Sequence, residues 1–197
     1  MAPEILILAA GSSSRMRGGD KLLEPIDGTA QLTRIAKAAL ATGCAVTVAL
    51  PPDRPARAAC LQGLSVRQVV VPNPKEGMAA SLVAGLAALP AASPVLLLLA
   101  DLPEITAQDL QSVLSAWAEH PDRILRGMGA DGTQGHPVGF PPDLRADLLA
   151  LTGDQGAREV LGRHKARLLG VSLPDQHATT DLDSPEDWAR WRASRGQ

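Results

Sequence analysis

Val95-Leu96-Leu97-Leu98-Leu99 has no polar residue at any position, so a strand made from it is apolar on both faces. Such a strand is stable only when covered on both sides, which implies a largely parallel sheet with helices packed above and below. Similar runs recur at Ile5-Leu6-Ile7-Leu8, over residues 45–50 and at Val69-Val70-Val71. Helical patterns separate them, predicted over residues 29–41, 55–61 and 78–89.

After Pro103 the start of a further helix is visible, because Thr106 precedes Asp109 by three residues in a capping-box-like pattern. Leu110, Val113, Leu114 and Trp117 follow at helical spacing and read as a face toward the core. Short strands are predicted over residues 124–128, 138–140 and 168–171, with short helices over 144–149 and 156–162. Ser184 at the N-cap and Pro185 behind it open a last helix. With no internal repeat, low-complexity tract or linker-like shift in composition, residues 1–197 are expected to form one α/β domain. The architecture expected is a three-layer Rossmann-like sandwich with a mostly parallel central sheet.

Composition narrows the partners. Nineteen Lys and Arg against 21 Asp and Glu leave a net charge of −2, which gives no bulk attraction for nucleic acid or an anionic membrane. Aromatic residues are only 2% of the chain, so the stacking platforms of a single-strand binder are missing. Cys44 and Cys60 lack metal-ligand spacing and read as reduced structural thiols. The apolar run at Ile5 to Ala10 is too short to span a membrane, and a cytoplasmic location is the expectation.

Two phosphate-binding patterns fail on context. The hexapeptide Gly127-Met128-Gly129-Ala130-Asp131-Gly132 matches G-x-G-x-x-G by letter, but no helix follows it, so it reads as a turn. Lys21 sits between Asp20 and Leu22 and lacks the hydroxyl neighbour of a P-loop. What remains is the stretch directly after the first apolar run, Leu8-Ala9-Ala10-Gly11-Ser12-Ser13-Ser14-Arg15, with Lys21 shortly beyond. In an open α/β sheet ligands bind beyond the carboxyl ends of the strands. A glycine for close backbone approach, three hydroxyls and two cations suit a triphosphate there. By the same placement Asp101, emerging after Val95 to Ala100, faces that loop.

The stretch resembles the nucleotidyltransferases related to the molybdenum-cofactor cytidylyl- and guanylyltransferases, whose signature is L-A-[AG]-G-x-S-x-R-M-G followed by a lysine. Arg17 stands where glycine is usual, and Gly18 and Gly19 follow. The resemblance implies that Asn73, Gly77, Met78 and Ser81 contact base and sugar. It makes Arg15, Lys21 and Asp101 the catalytic set, with Asp101 binding Mg²⁺ together with Asp181 or Asp183. Either of these two could instead be a first-turn acid complementing a helix dipole. Gly135, His136, Pro137, Asp154 and Arg158 correspond to the acceptor side, in stretches closer to the cytidylyl branch; the second runs Thr152-Gly153-Asp154-Gln155-Gly156-Ala157-Arg158.

The activity implied is transfer of CMP or GMP from CTP or GTP to the phosphate of a molybdopterin-type acceptor, releasing pyrophosphate. The protein partner implied is a molybdoenzyme or its chaperone. Two other readings stay open: the same chemistry on a sugar phosphate or other phosphorylated alcohol, and a non-catalytic nucleotide-binding regulator.

Overall fold

The first apolar run forms β1 (Glu4–Leu8) in the computed structural model, which describes residues 2–154 and 156–196. A hairpin of β2 (Pro25–Ile26) and β3 (Thr29–Ala30) follows, then α1 (Gln31–Leu40), β4 (Ala45–Leu50) and α2 (Pro55–Ala59). Next come β5 (Arg67–Val70), α3 (Met78–Ala87), β6 (Val95–Leu99) and α4 (Ala107–Glu119). The remainder is β7 (Ile124–Met128), β8 (Gln134–Phe140), α5 (Arg145–Leu149), α6 (Arg158–Arg163), β9 (Leu168–Ser172) and α7 (Pro185–Ser194).

Seven strands make one sheet in the order β5-β4-β1-β6-β8-β7-β9, and only β8 runs antiparallel to its neighbours. Pleating sends alternate side chains of β1 to opposite faces. Ile5 and Ile7 join Leu32 and Ile35 of α1 and Leu110, Val113 and Trp117 of α4 on one side. Leu6 and Leu8 meet Leu82 and Leu86 of α3, Leu148 of α5 and Val160 of α6 on the other. Each aliphatic side chain so buried contributes roughly 1.5–3 kcal/mol, which makes the two-faced burial the main support of the fold. At Gly85 α3 lies so close to β1 that a Cβ would come 2.5 Å from Leu6 Cδ1.

A third, smaller cluster of Met16, Ile26, Leu182, Trp188 and Trp191 docks α7 and the hairpin against the first loop. Thr106 and Ser184 cap α4 and α7, each in a reciprocal capping box with Asp109 and Asp187.

The structure departs from the sequence reading in several places. The run Val69–Val71, expected to be covered on both faces, falls at the end of the edge strand β5, where Val70 is 61% exposed. The helix expected over 55–61 ends at Ala59. Residues 29 and 30 are strand, because Asp27 and Gly28 both take positive φ and close a two-residue hairpin turn. The strand expected over residues 138–140 starts at Gln134, since the Gly129–Gly132 segment is the tight turn that folds β8 back along β7. The helix expected from residue 156 begins at Arg158.

Candidate functional site

Leu8, the last residue of β1, lies level with Ala49 of β4 and Leu99 of β6. The chain continues toward β4 from one and away from it after the other, so a crevice opens beyond their carboxyl ends. The loop after β1 fills its rim, passing through a 3-10 turn at Ser14–Met16. Arg17 and Gly18, both at positive φ, turn the chain back toward Lys21. Arg17 pairs with Glu186 at 2.6 Å, so the departure from the family pattern ties this loop to α7.

A buried arginine holds the loop in shape. Arg57 of α2 is 0% exposed and uses all five of its N–H donors. Nε and Nη2 donate to the two Asp20 oxygens at 2.7 and 2.8 Å. Nη1 donates to the carbonyls of Ala9 and Gly11 at 2.6 and 2.8 Å, and Nη2 also to Ser13 Oγ at 2.9 Å. Arg54 adds a bond to the Ser12 carbonyl at 2.6 Å. Burial would raise the Asp20 carboxyl, but Arg57, the Leu22 N–H and Ser13 outweigh it and hold Asp20 below the usual value.

Asp20, Arg54 and Arg57 are functional-site residues that the motif reading passes over. A signal does exist: in the helix expected over residues 55–61, Arg57 and Leu61 are four residues apart and share a face. The Ser13 hydroxyl is bonded to both Arg57 and Asp20, so it also helps hold the loop.

Beyond this support, Lys21 Nζ reaches across to Asp101 Oδ2 at 2.5 Å and Asp183 Oδ1 at 2.6 Å. Burial alone would lower the Lys21 ammonium, yet the two acids outweigh it and raise its pKa. Arg15 pairs with the other Asp183 oxygen at 2.7 Å, its side chain 70% exposed. Asp181 lies at the rim, its carboxyl raised by partial burial and by the charges of Asp183 and Asp101.

These groups line one cavity of about 620 Å³ with Leu8, Ala9, Ala10, Gly11 and Ser12. Its opposite wall is Gly77, Met78 and Ser81 with Asp154 and Arg158. Gly77 is at φ 104°, and a Cβ there would sit 2.4 Å from Asp154 Oδ1, so only glycine lets the two segments of that wall meet. Ser14 borders a smaller recess beside Arg15 and Lys21. Asn73 faces a separate hollow on the outer side of α3.

Gly135, His136 and Pro137 do not line the cavity. They lie in β8 under the segment before α7: His136 N donates to the Ala178 carbonyl at 2.9 Å, and a Cβ on Gly135 would be 2.0 Å from that oxygen. Burial pushes the His136 imidazole down to about 4, so it is neutral at pH 7, and its Nδ1 has no partner among the described residues. Gln155 lies outside the described residues.

Among the described residues no group of three or more His, Cys, Asp or Glu is arranged to hold a metal ion. A site of two carboxylates is nonetheless what Mg²⁺ uses when phosphate oxygens and water complete its shell. Asp101 Oδ1 is buried with no hydrogen-bond partner among the described residues, and the position between Asp101 and Asp183 is held by a cation, the Lys21 ammonium. Asp101 and Asp183 therefore fit a hard divalent cation.

A family match places the chain in the nucleotidyltransferase class. The chain belongs to the MobA-like NTP transferase domain family, whose profile matches residues 5–168. Rv0371c from Mycobacterium tuberculosis H37Rv superposes with a TM-score of 0.84 at 25% identity, over 97% of this chain and 98% of that one. A second structure, of Rv0371C in complex with manganese, gives a TM-score of 0.79 at 26% identity over 98% and 100% of the two chains. Nicotine blue oxidoreductase of Paenarthrobacter nicotinovorans is 29% identical over 196 residues, 94% of each chain. No helix among the described residues is long and apolar enough to cross a membrane.

Proposed function

We propose that this protein transfers a nucleotidyl group, CMP in preference to GMP, from a nucleoside triphosphate to the phosphate of a molybdopterin-type acceptor and releases pyrophosphate. The observation that carries the reaction class is Lys21 held between Asp101 and Asp183 at the mouth of the loop after β1. Two cations and two carboxylates converge where a triphosphate would lie, and in-line transfer needs charge neutralisation and positioning at that point.

Asp101 and Asp183 would hold Mg²⁺, with Asp181 at its edge. The bound ion supplies neutralisation of the charge gathering on the phosphates. Arg15 and Lys21, released from the carboxylates, turn to the phosphate oxygens, and the backbone of residues 9–12 cradles them. The acceptor needs no general base, because a phosphate monoester has a second pKa near ~6 and is mostly dianionic at neutral pH. A His136 that stays neutral and away from the cavity agrees with this.

The preference for cytidine rests on the cytidylyl-like sequences of residues 77–81 and 153–158 and on Ala10, which lines the cavity. One methyl of overlap costs about 1–3 kcal/mol and penalises a purine more than a pyrimidine. The test is pyrophosphate release across four triphosphates with molybdopterin-type and sugar-phosphate acceptors, then kcat/KM for CTP and GTP in wild type and Ala10→Gly. A preference for GTP overturns the cytidylyl reading. Turnover only with sugar phosphates moves the acceptor.

The oxidoreductase named among the relatives motivates one control: NADH oxidation with no pyrophosphate release in any arm would replace the transfer reading. Against an oxidoreductase reading stands the G-x-G-x-x-G hexapeptide, which joins two antiparallel strands and opens no helix.

A further inference from the structure

Arg158 lines the main cavity from one side only. Behind it lies a second hollow of about 320 Å³, bordered by Arg126, Gln134, Arg158 and Lys165 with Leu161 and Leu168 as apolar walls. Arg158 borders both spaces. The three cations come from three places in the chain: Arg126 from β7, Arg158 from the first turn of α6, and Lys165 from the 3-10 turn that follows it.

None of the three has a carboxylate partner among the described residues. Arg126 donates only to neutral oxygens, Gln134 Oε1 at 2.8 Å and the Gly135 carbonyl at 3.3 Å. Elsewhere in the chain eight arginines are each paired with an acid. The charges also act on one another: burial lowers the Arg126 guanidinium, and the charge of Arg158 lowers it further. Arg126 is partly buried, and Arg158 and Lys165 are exposed at the mouth; like charges gathered there repel, and an anion placed among them reverses the sign of that interaction.

We propose that this recess is an anion subsite beside the main cavity, taking an oxyanion group of the acceptor remote from the phosphate that reacts. This rests on the transfer reading above, in which Arg15 and Lys21, on the loop after β1, are assigned to the triphosphate. Arg126, Arg158 and Lys165 are then left for the other substrate. Two adjacent guanidinium groups suit the planar, bidentate recognition that carboxylates and phosphates share.

The experiment is a titration of the full chain with inorganic phosphate and, separately, acetate, followed through arginine Nε–Hε resonances. The Arg126 and Arg158 signals should shift and saturate, the tighter probe identifying the group preferred. Arg126→Gln combined with Lys165→Gln should weaken that probe at least tenfold while changing CTP affinity less than twofold. Lys165→Gln alone, an exposed position, should weaken it at least threefold and carries the test if the double variant does not fold. Unmoved Arg126 and Arg158 signals, or unchanged affinity in Lys165→Gln, would overturn the subsite. Failure of the transfer reading is read separately, as absence of pyrophosphate release with probe binding intact.

Discussion

Removing the Arg57 side chain should destabilise the protein and loosen the loop after β1 together. In Arg57→Ala the Asp20 carboxylate, 9% exposed, keeps the Leu22 N–H and Ser13 hydroxyl at 3.1 and 3.2 Å, but its one remaining ion pair is the long contact to Arg54 at 3.4 Å. The Ala9 and Gly11 carbonyls lose their guanidinium donor as well. Breaking a buried ion pair from one side costs about 3–5 kcal/mol, because the remaining charge stays in a poorly solvated place. At roughly 2–4 °C per kcal/mol for a chain of this size, Tm should fall by about 6–20 °C.

Arg57→Lys keeps the charge but not the five-donor fork and should lie between wild type and Arg57→Ala. Combining Arg57→Met with Asp20→Leu removes both charges and should recover much of the loss, giving a coupling above about 2 kcal/mol in the cycle. The Asp20 carboxyl is depressed in the folded state, so the pair's contribution is fully present above its ordinary 3.8 and is lost as pH falls through the lower folded pKa. The difference between wild type and Arg57→Ala should therefore shrink toward pH 3. Urea denaturation at pH 7 and at pH 3 measures both. A loss below about 1 kcal/mol at pH 7, or a difference that grows on acidification, refutes the buried-clamp reasoning.

Asp101→Asn should abolish turnover and leave the circular dichroism spectrum unchanged, with wild-type activity strictly dependent on a divalent cation. More than about a tenth of the wild-type rate, under ~1.4 kcal/mol of barrier, would remove Asp101 from the metal role. Lys21→Ala should lower kcat more than it weakens triphosphate binding, since its charge meets negative charge that develops during transfer; an unchanged kcat at saturating substrate contradicts this. His136, with its folded pKa near 4, takes up its proton in the unfolded chain first. Wild-type stability should therefore fall as pH drops from about 6.5 to about 4, by roughly 3 kcal/mol over the window. His136→Gln should flatten that slope in urea melts at pH 7 and pH 5, and an unchanged slope would show that the imidazole is not the group responsible.

The parts of this protein legible in its sequence are those governed by near neighbours along the chain. Apolar runs without alternation specify strands covered on both faces, and β1, β4 and β6 are such strands. Thr106 with Asp109 and Ser184 with Asp187 mark helix starts because a cap bond spans only three residues. The loop after β1 is readable as the rim of the cavity from its residue types and its place after a strand. The Asp27-Gly28 hairpin was legible too, since those residue types favour that turn, although the helical pattern after it overrides the signal.

Tertiary structure decided the rest. It put Lys21 against Asp101 and Asp183, 80 and 162 residues away, and turned Arg57 inward onto a loop more than 30 residues upstream. It also drew Gly135, His136 and Pro137 out of the cavity, under the segment leading to α7, and set Arg126 beside Arg158 and Lys165. No periodicity encodes these neighbours. They depend on the order in which strands add to the sheet and on which chain crosses its carboxyl end, and Coulomb and hydrogen-bond energies act only once that topology has brought the groups within a few ångströms.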